Sequence, residues 1–248
     1  YNYTESRYEK DHAAYPKRII YGSENSGNYA AWKAVRDHDF ISGMFIWTGT
    51  DYLGESHAWP SRGFESGLLD LGSFPKPRGR FFESLWSEEP VCYIGTTLKT
   101  PGRRGSGDTT DAWDSWNYEE GQSIRVVCYT NAASAALFLN GRQVGQKQPY
   151  NLETGIIGWD VPFSPGTLRA VGYDEAGREV SSYEIRTSLR PHALRASADR
   201  EILAPGGVAH LTVEVLDDNG NFVHLADNAI SCVIEGPAEL LGMEGSDN

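Results

Sequence analysis

The stretch from Phe40 to Trp47 constrains the fold most, because only Ser42 and Gly43 interrupt an otherwise apolar run. A strand that is apolar on both sides must be buried on both. That is the habit of parallel sheets covered by helices, whereas half-solvated antiparallel strands alternate. What surrounds the run agrees. Arg18–Tyr21 reads as a short buried strand that delivers Gly22-Ser23-Glu24, with Ile19 and Ile20 as its anchors. Tyr29–Asp39 reads as a helix, with Ala31, Ala34 and Val35 spaced i, i+3, i+4. Beyond a long polar loop, Arg80–Trp86 carries the helical stripe Phe81, Phe82 and Leu85. Strand, helix, strand, helix is the rhythm of a parallel α/β sheet.

That rhythm stops near Pro90. Thr100–Thr110 is rich in Gly, Arg, Ser and Thr and reads as an exposed loop. Short strands follow: Ile124–Tyr129, Ala135–Leu139, Leu168–Tyr173 and Val180–Ile185. Asn140-Gly141 is a two-residue hairpin signal, and Glu175-Ala176-Gly177 marks another turn. No helix is evident, and strands at this spacing indicate a β-sandwich. From about Pro191 a third region reads as strands at Ala209–Leu216 and Ala229–Ile234, with a turn at Asp218-Asn219-Gly220. These are too few strands to close a sandwich.

Composition removes several classes of function. The chain carries 22 Lys and Arg against 34 Asp and Glu, a net charge of −12, so nucleic acid is not an expected partner, since phosphate binding needs a basic face. No apolar run approaches the ~20 residues that cross a bilayer, so no membrane span is expected, and the opening residues read as a strand with no targeting segment. Cys92, Cys128 and Cys232 are scattered and show no CxxC spacing, which argues against thiolate zinc and against a disulfide framework. No metal site and no cofactor are expected, beyond weak calcium or sodium binding by acidic loops. Cys128, inside an apolar strand, reads as a small buried hydrophobe.

In a parallel α/β arrangement, reactive groups sit where strands end and loops begin. Glu24 stands at such an end, and Trp47-Thr48-Gly49-Thr50-Asp51-Tyr52 ends the next strand. An indole, a carboxylate and a phenol thus share one sheet edge with Glu24. Tyr1-Asn2-Tyr3 can supply a third strand end, and Glu55, His57, Trp59 and Arg62 lie in the loop beyond. Acidic and aromatic groups without phosphate clamps suit a sugar. Retaining glycosidases use one ionised carboxylate as nucleophile, with a protonated carboxyl ~5–5.5 Å away. The plainer alternative for Glu24 is a carboxylate complementing the dipole of the following helix. For Asp51 and Tyr52 it is a satisfied loop network.

Tyr1-Asn2-Tyr3, Ile19-Ile20-Tyr21-Gly22-Ser23-Glu24-Asn25 and Ile46-Trp47-Thr48-Gly49-Thr50-Asp51-Tyr52-Leu53-Gly54-Glu55 resemble the last strands of glycoside hydrolase family 2. Trp59-Pro60-Ser61-Arg62, Gly67-Leu68-Leu69-Asp70-Leu71 and Phe74-Pro75-Lys76 resemble its β-galactosidase branch, and Leu137-Phe138-Leu139-Asn140-Gly141 resembles the sandwich that follows the barrel. The resemblance implies the C-terminal third of a TIM (β/α)8 barrel over 1–90, a β-sandwich over 91–190 and an incomplete immunoglobulin-like domain over 191–248. It implies a retaining hydrolase of terminal β-galactosides or related β-glycosides with Glu24 as nucleophile. Tyr3 (Tyr1 as second choice) would hydrogen-bond the nucleophile, Trp47 would line the sugar site and Asp51 would grip sugar hydroxyls. Glu55, His57 and Trp59 are further substrate-binding candidates. The partner is then a carbohydrate substrate, a homo-oligomer is compatible, and a periplasmic or extracellular location is favoured.

Two departures matter. The family's acid/base is a Glu preceded by Asn, and this sequence has no Asn-Glu pair, so the chain is expected to hold a nucleophile without its partner acid. The glucuronidase branch grips its sugar carboxylate with an Asn-x-Lys, where this sequence has Phe64-Glu65-Ser66. The second and third regions alone would also suit a non-catalytic carbohydrate-binding or adhesive β-sandwich array.

Overall fold

The structure, a computed structural model, describes residues 1–99 and 109–245. The chain opens with a helix the sequence pattern does not show, α1 (Tyr8–Ala14). Only Tyr8 and Asp11 of its residues are buried, too few to display a period. Tyr8 packs with Ile20 and Ile41 in a small core. Next come β1 (Ile20–Asn25), α2 (Tyr29–Arg36) and β2 (Ile41–Ile46). β1 and β2 are parallel, with Ile20 opposite Ile41 and Asn25 opposite Ile46, so α2 is the crossover. Of the two expected anchors only Ile20 is buried, while Ile19 is 78% exposed. Successive strand residues face opposite sides, so the adjacent isoleucines cannot both enter one core.

Two short strands, β3 (Tyr52–Leu53) and β4 (Gly63–Phe64), pair as a small antiparallel ladder beyond β2. α3 (Pro77–Trp86) follows, opened by Pro77, whose fixed φ suits a first helical turn. It buries Phe81 and Phe82 completely.

The second region is all strand among the described residues. β5 (Cys92–Leu98), β6 (Ser123–Thr130), β7 (Ser134–Leu139), β8 (Arg142–Pro149), β9 (Ile156–Pro162), β10 (Thr167–Tyr173) and β11 (Glu179–Arg186) form two antiparallel sheets. Their orders are β5-β6-β9 and β11-β10-β7-β8. Ile124, Val126 and Cys128 of β6 meet Leu137, Leu168 and Ala170 of the other sheet in one core, with Trp116 and Trp159. β6 is buried on its other face too. Val127 and Tyr129 pack on Phe81, Phe82 and Tyr29, so this sheet is the shared wall between the sandwich and the helices before it. The β7–β8 hairpin turns at Asn140 and Gly141, both at positive φ, as the sequence anticipates. The loop expected over Thr100–Thr110 falls mostly outside the described residues.

In the third region β12 (Ala193–Ala198) pairs with β13 (Leu211–Leu216), and the turn at Asp218-Asn219-Gly220 is present. The strand expected at Ala229–Ile234 does not form. No described strand lies beside it, and Val233 is 84% exposed. Unpaired backbone groups gain nothing from extended geometry over hydration.

Candidate active site

Glu24 lies one residue before the end of β1, half-buried, and α2 starts just beyond it. Asn28 caps that helix, its Oδ1 accepting from the Ala31 N–H at 2.9 Å. Asn25 fixes the strand end beside Glu24. It is 1% exposed; its Nδ2 donates to Glu5 Oε1 at 2.8 Å and to the Tyr8 hydroxyl at 3.0 Å. Its Oδ1 accepts from the Phe45 N–H of β2 at 3.2 Å. Gly22 makes room for this, because a Cβ there would run into the Asn25 amide.

The N-terminal residues continue the parallel arrangement. Asn2 bridges Glu24 in parallel fashion, and the Tyr3 N–H donates to the Glu24 carbonyl at 2.8 Å. The Tyr3 phenol lies beside the Glu24 carboxylate: burial and then that negative charge push its pKa up. Tyr1, the second choice for this position, is committed elsewhere, its hydroxyl donating to Asp11 Oδ2 at 2.5 Å.

Trp47 ends the neighbouring strand and is 44% exposed. Its Nε1–H donates to the Tyr52 hydroxyl at 3.2 Å, and Tyr52 donates to Glu55 Oε2 at 2.5 Å. The two rings meet edge-on with centroids 6.2 Å apart. Glu55, through the hydrogen bond it accepts, is the largest cause of the raised Tyr52 pKa, and Tyr3 also contributes. Tyr3, Glu24, Trp47, Tyr52 and Glu55 therefore form one exposed aromatic and acidic group at the strand ends. His57 lies beside Phe64, with ring centroids 6.1 Å apart, and Phe64 in turn meets Tyr52 at 5.8 Å. Trp59 is 85% exposed and further out on the loop.

Asp51 departs from its expected role. Its side chain is 1% exposed, and its oxygens accept from Lys76 Nζ at 2.8 and 3.1 Å and from the Gly67 N–H at 2.7 Å. A carboxylate held this way braces the loop between β2 and α3 and is not open to a sugar hydroxyl. Lys76 also donates to the Glu65 carbonyl at 2.9 Å. The sequence signalled no role for Lys76 or Asn25. Both act through partners 11 to 25 residues away, separations that carry no local pattern. No group of three or more His, Cys, Asp or Glu side chains among the described residues is arranged to hold a metal.

Comparison with known proteins bears on this arrangement. The family description "Glycoside hydrolase family 2 C-terminal domain 5" matches residues 194–248, and a domain of unknown function, DUF4982, matches 121–181. The β-galactosidase BoGH2A of Bacteroides ovatus is 34% identical over 220 residues, covering 87% of this chain and 24% of that protein. A family 2 glycosyl hydrolase from Bacteroides cellulosilyticus superposes with a TM-score of 0.80 at 34% identity, over 91% of this chain and 32% of that one. The chain belongs to glycoside hydrolase family 2. A β-glucuronidase of Formosa agariphila is also similar, 28% identical over 70% of this chain and 16% of that protein. The chain spans about a quarter of the length of BoGH2A.

Proposed function

We propose that this chain is the nucleophile-bearing part of a retaining β-glycoside hydrolase of the β-galactosidase branch, with Glu24 as nucleophile. In this reading residues 1–90 complete a TIM (β/α)8 barrel, 91–190 are a β-sandwich that buttresses it, and 191–248 begin an immunoglobulin-like domain. The observation that carries the proposal is the placement of Glu24 at the end of a parallel strand, with the Tyr3 phenol beside its carboxylate and Trp47 at the adjacent strand end.

The chemistry follows from that geometry. In this reading the Glu24 carboxylate attacks the anomeric carbon, the glycosidic bond breaks as the acid/base protonates the departing aglycone oxygen, and the Tyr3 phenol beside Glu24 orients it. Trp47 supplies an apolar wall for the sugar ring, and its indole is held by Tyr52 and Glu55. The glycosyl ester on Glu24 is then hydrolysed by water, activated by an acid/base Glu supplied by sequence outside this chain. A β-galactoside is favoured over a β-glucuronide. Where a glucuronidase would present Asn-x-Lys, this chain has Phe64-Glu65-Ser66, and the nearby ammonium of Lys76 is neutralised by Asp51.

Two experiments test the reading. A 2-deoxy-2-fluoro galactoside, which slows breakdown of the glycosyl-enzyme, should label Glu24 in the full-length protein; a label on Glu55 would refute the assignment. The isolated chain should hydrolyse nitrophenyl β-galactoside poorly, since general acid catalysis alone contributes about 10²–10⁴-fold. Turnover matching that of the full-length enzyme would show that the acid/base is in this chain after all.

A further inference from the structure

Cys92 and Cys128 are free thiols on adjacent antiparallel strands, β5 and β6. The register pairs Ile94 with Cys128 and Cys92 with Thr130, which places the two cysteines diagonally on the same, core-facing side of the sheet. Their sulfurs lie 3.7 Å apart. Cys128 is fully buried in the sandwich core, while Cys92 sits at the rim of that core and is partly exposed. Cys232, the remaining cysteine, is exposed and lies in the third region.

We propose that Cys92 and Cys128 form a latent disulfide site, closed by thiol–disulfide exchange with a small-molecule disulfide. A disulfide bond is about 2.05 Å long, so the sulfurs, 3.7 Å apart, must approach by less than 2 Å, through side-chain rotation together with a shift of the edge strand β5. The asymmetry of exposure sets the order of events. The Cys92 thiolate attacks one sulfur of the reagent, forming a mixed disulfide and releasing one thiolate, which takes up a proton. Cys128 then loses its proton and attacks the Cys92 sulfur, expelling the second thiolate. The two cysteines are oxidised by two electrons and the reagent is reduced to two thiols. The proximity of Cys92 and burial hold the Cys128 thiol well above its ordinary pKa, so the second step is the slow one and speeds up with rising pH. The bond would clip the edge strand β5 to β6, the strand that also forms the wall against α3.

The test uses the 248-residue chain carrying Cys232→Ser, incubated folded with oxidised glutathione, quenched with acid, then alkylated in denaturant and read by intact mass and peptide mapping. The expected result is loss of both alkylation sites, a mass lower by two hydrogens, a Cys92–Cys128 linked peptide, and a higher melting temperature than the reduced chain. Cys128→Ala should stop at one glutathione on Cys92. Cys92→Ser, which changes only the rim, should take up no glutathione because Cys128 is enclosed. A mixed disulfide that persists at Cys92 while Cys128 is intact would overturn the proposal. So would two thiols that remain alkylatable, or a linked peptide that forms only in denaturant.

Discussion

Replacing Lys76 by Met separates a bracing role for Asp51 from a sugar-binding one. In the structure the Asp51 carboxylate is nearly inaccessible and Lys76 is 13% exposed, with Nζ 2.8 Å from Oδ2. Removing the ammonium takes the charged partner away from a buried carboxylate that still accepts from the Gly67 N–H. Breaking a buried pair from one side costs about 3–5 kcal/mol, and the methylene stem that Met retains keeps most of the packing. Asp51→Ala strands the ammonium and the Gly67 N–H instead, at a similar cost of about 3–5 kcal/mol. The double variant loses the pair once, so its cost should fall well short of the sum, and a double-mutant cycle should return a coupling of about 2–3 kcal/mol. Urea denaturation followed by tryptophan fluorescence reads this directly: with a slope of about 1–3 kcal/mol per molar, each single variant should unfold at least 1 M earlier. A Lys76→Met midpoint within error of the original, or strictly additive single effects, would refute the brace. If Asp51 instead gripped substrate, Asp51→Ala would raise KM in the full-length enzyme and leave the unfolding midpoint alone.

Asn25→Ala deletes three hydrogen bonds from a 1%-exposed side chain, each worth about 1 kcal/mol; chemical denaturation should show a loss of about 3 kcal/mol. Glu24→Gln in the full-length enzyme should abolish most turnover with the melting temperature nearly unchanged, measured by nitrophenyl galactoside assay beside a thermal melt. His38 Nδ1–H donates to the Ala34 carbonyl at 2.8 Å and its Nε2 lies 2.9 Å from Glu9 Oε1, and these contacts raise its pKa. Protonated His38 therefore stabilises the fold fully below the unfolded value of about 6.5, and the benefit fades as pH rises through the higher folded value. Glu9→Gln should weaken that pH dependence in melts taken between mildly acidic and mildly basic buffers, and an unchanged profile would exclude the pair as its source.

The local chemistry of the chain was legible in its sequence. The apolar run before Trp47, the helical spacing at Ala31, Ala34 and Val35, the Asn140-Gly141 turn and the expected sandwich strands correspond to observed elements, although the helix ends three residues early, at Arg36, and β2 is not buried on both faces, Phe45 being 63% exposed. These features express local rules: side-chain periodicity, capping and φ preference act over a few residues. Family membership was legible for a related reason, since the residues at the ends of β1 and β2 are contiguous motifs.

Tertiary structure decided what depended on distant partners. Adjacent isoleucines look equivalent in sequence, but only Ile20 faces the core formed by Tyr8 and Ile41. Ala229–Ile234 has strand-like composition but pairs with no strand among the described residues, so it stays irregular. Asp51 has the residue type of a sugar ligand, yet Lys76, brought alongside by the return of the loop, neutralises it. Tyr1 and Tyr3 differ only in which carboxylate the fold sets beside each phenol, Asp11 or Glu24. A sequence specifies which groups are available; burial and hydrogen-bond competition, set by the whole fold, determine which of them remain free to react.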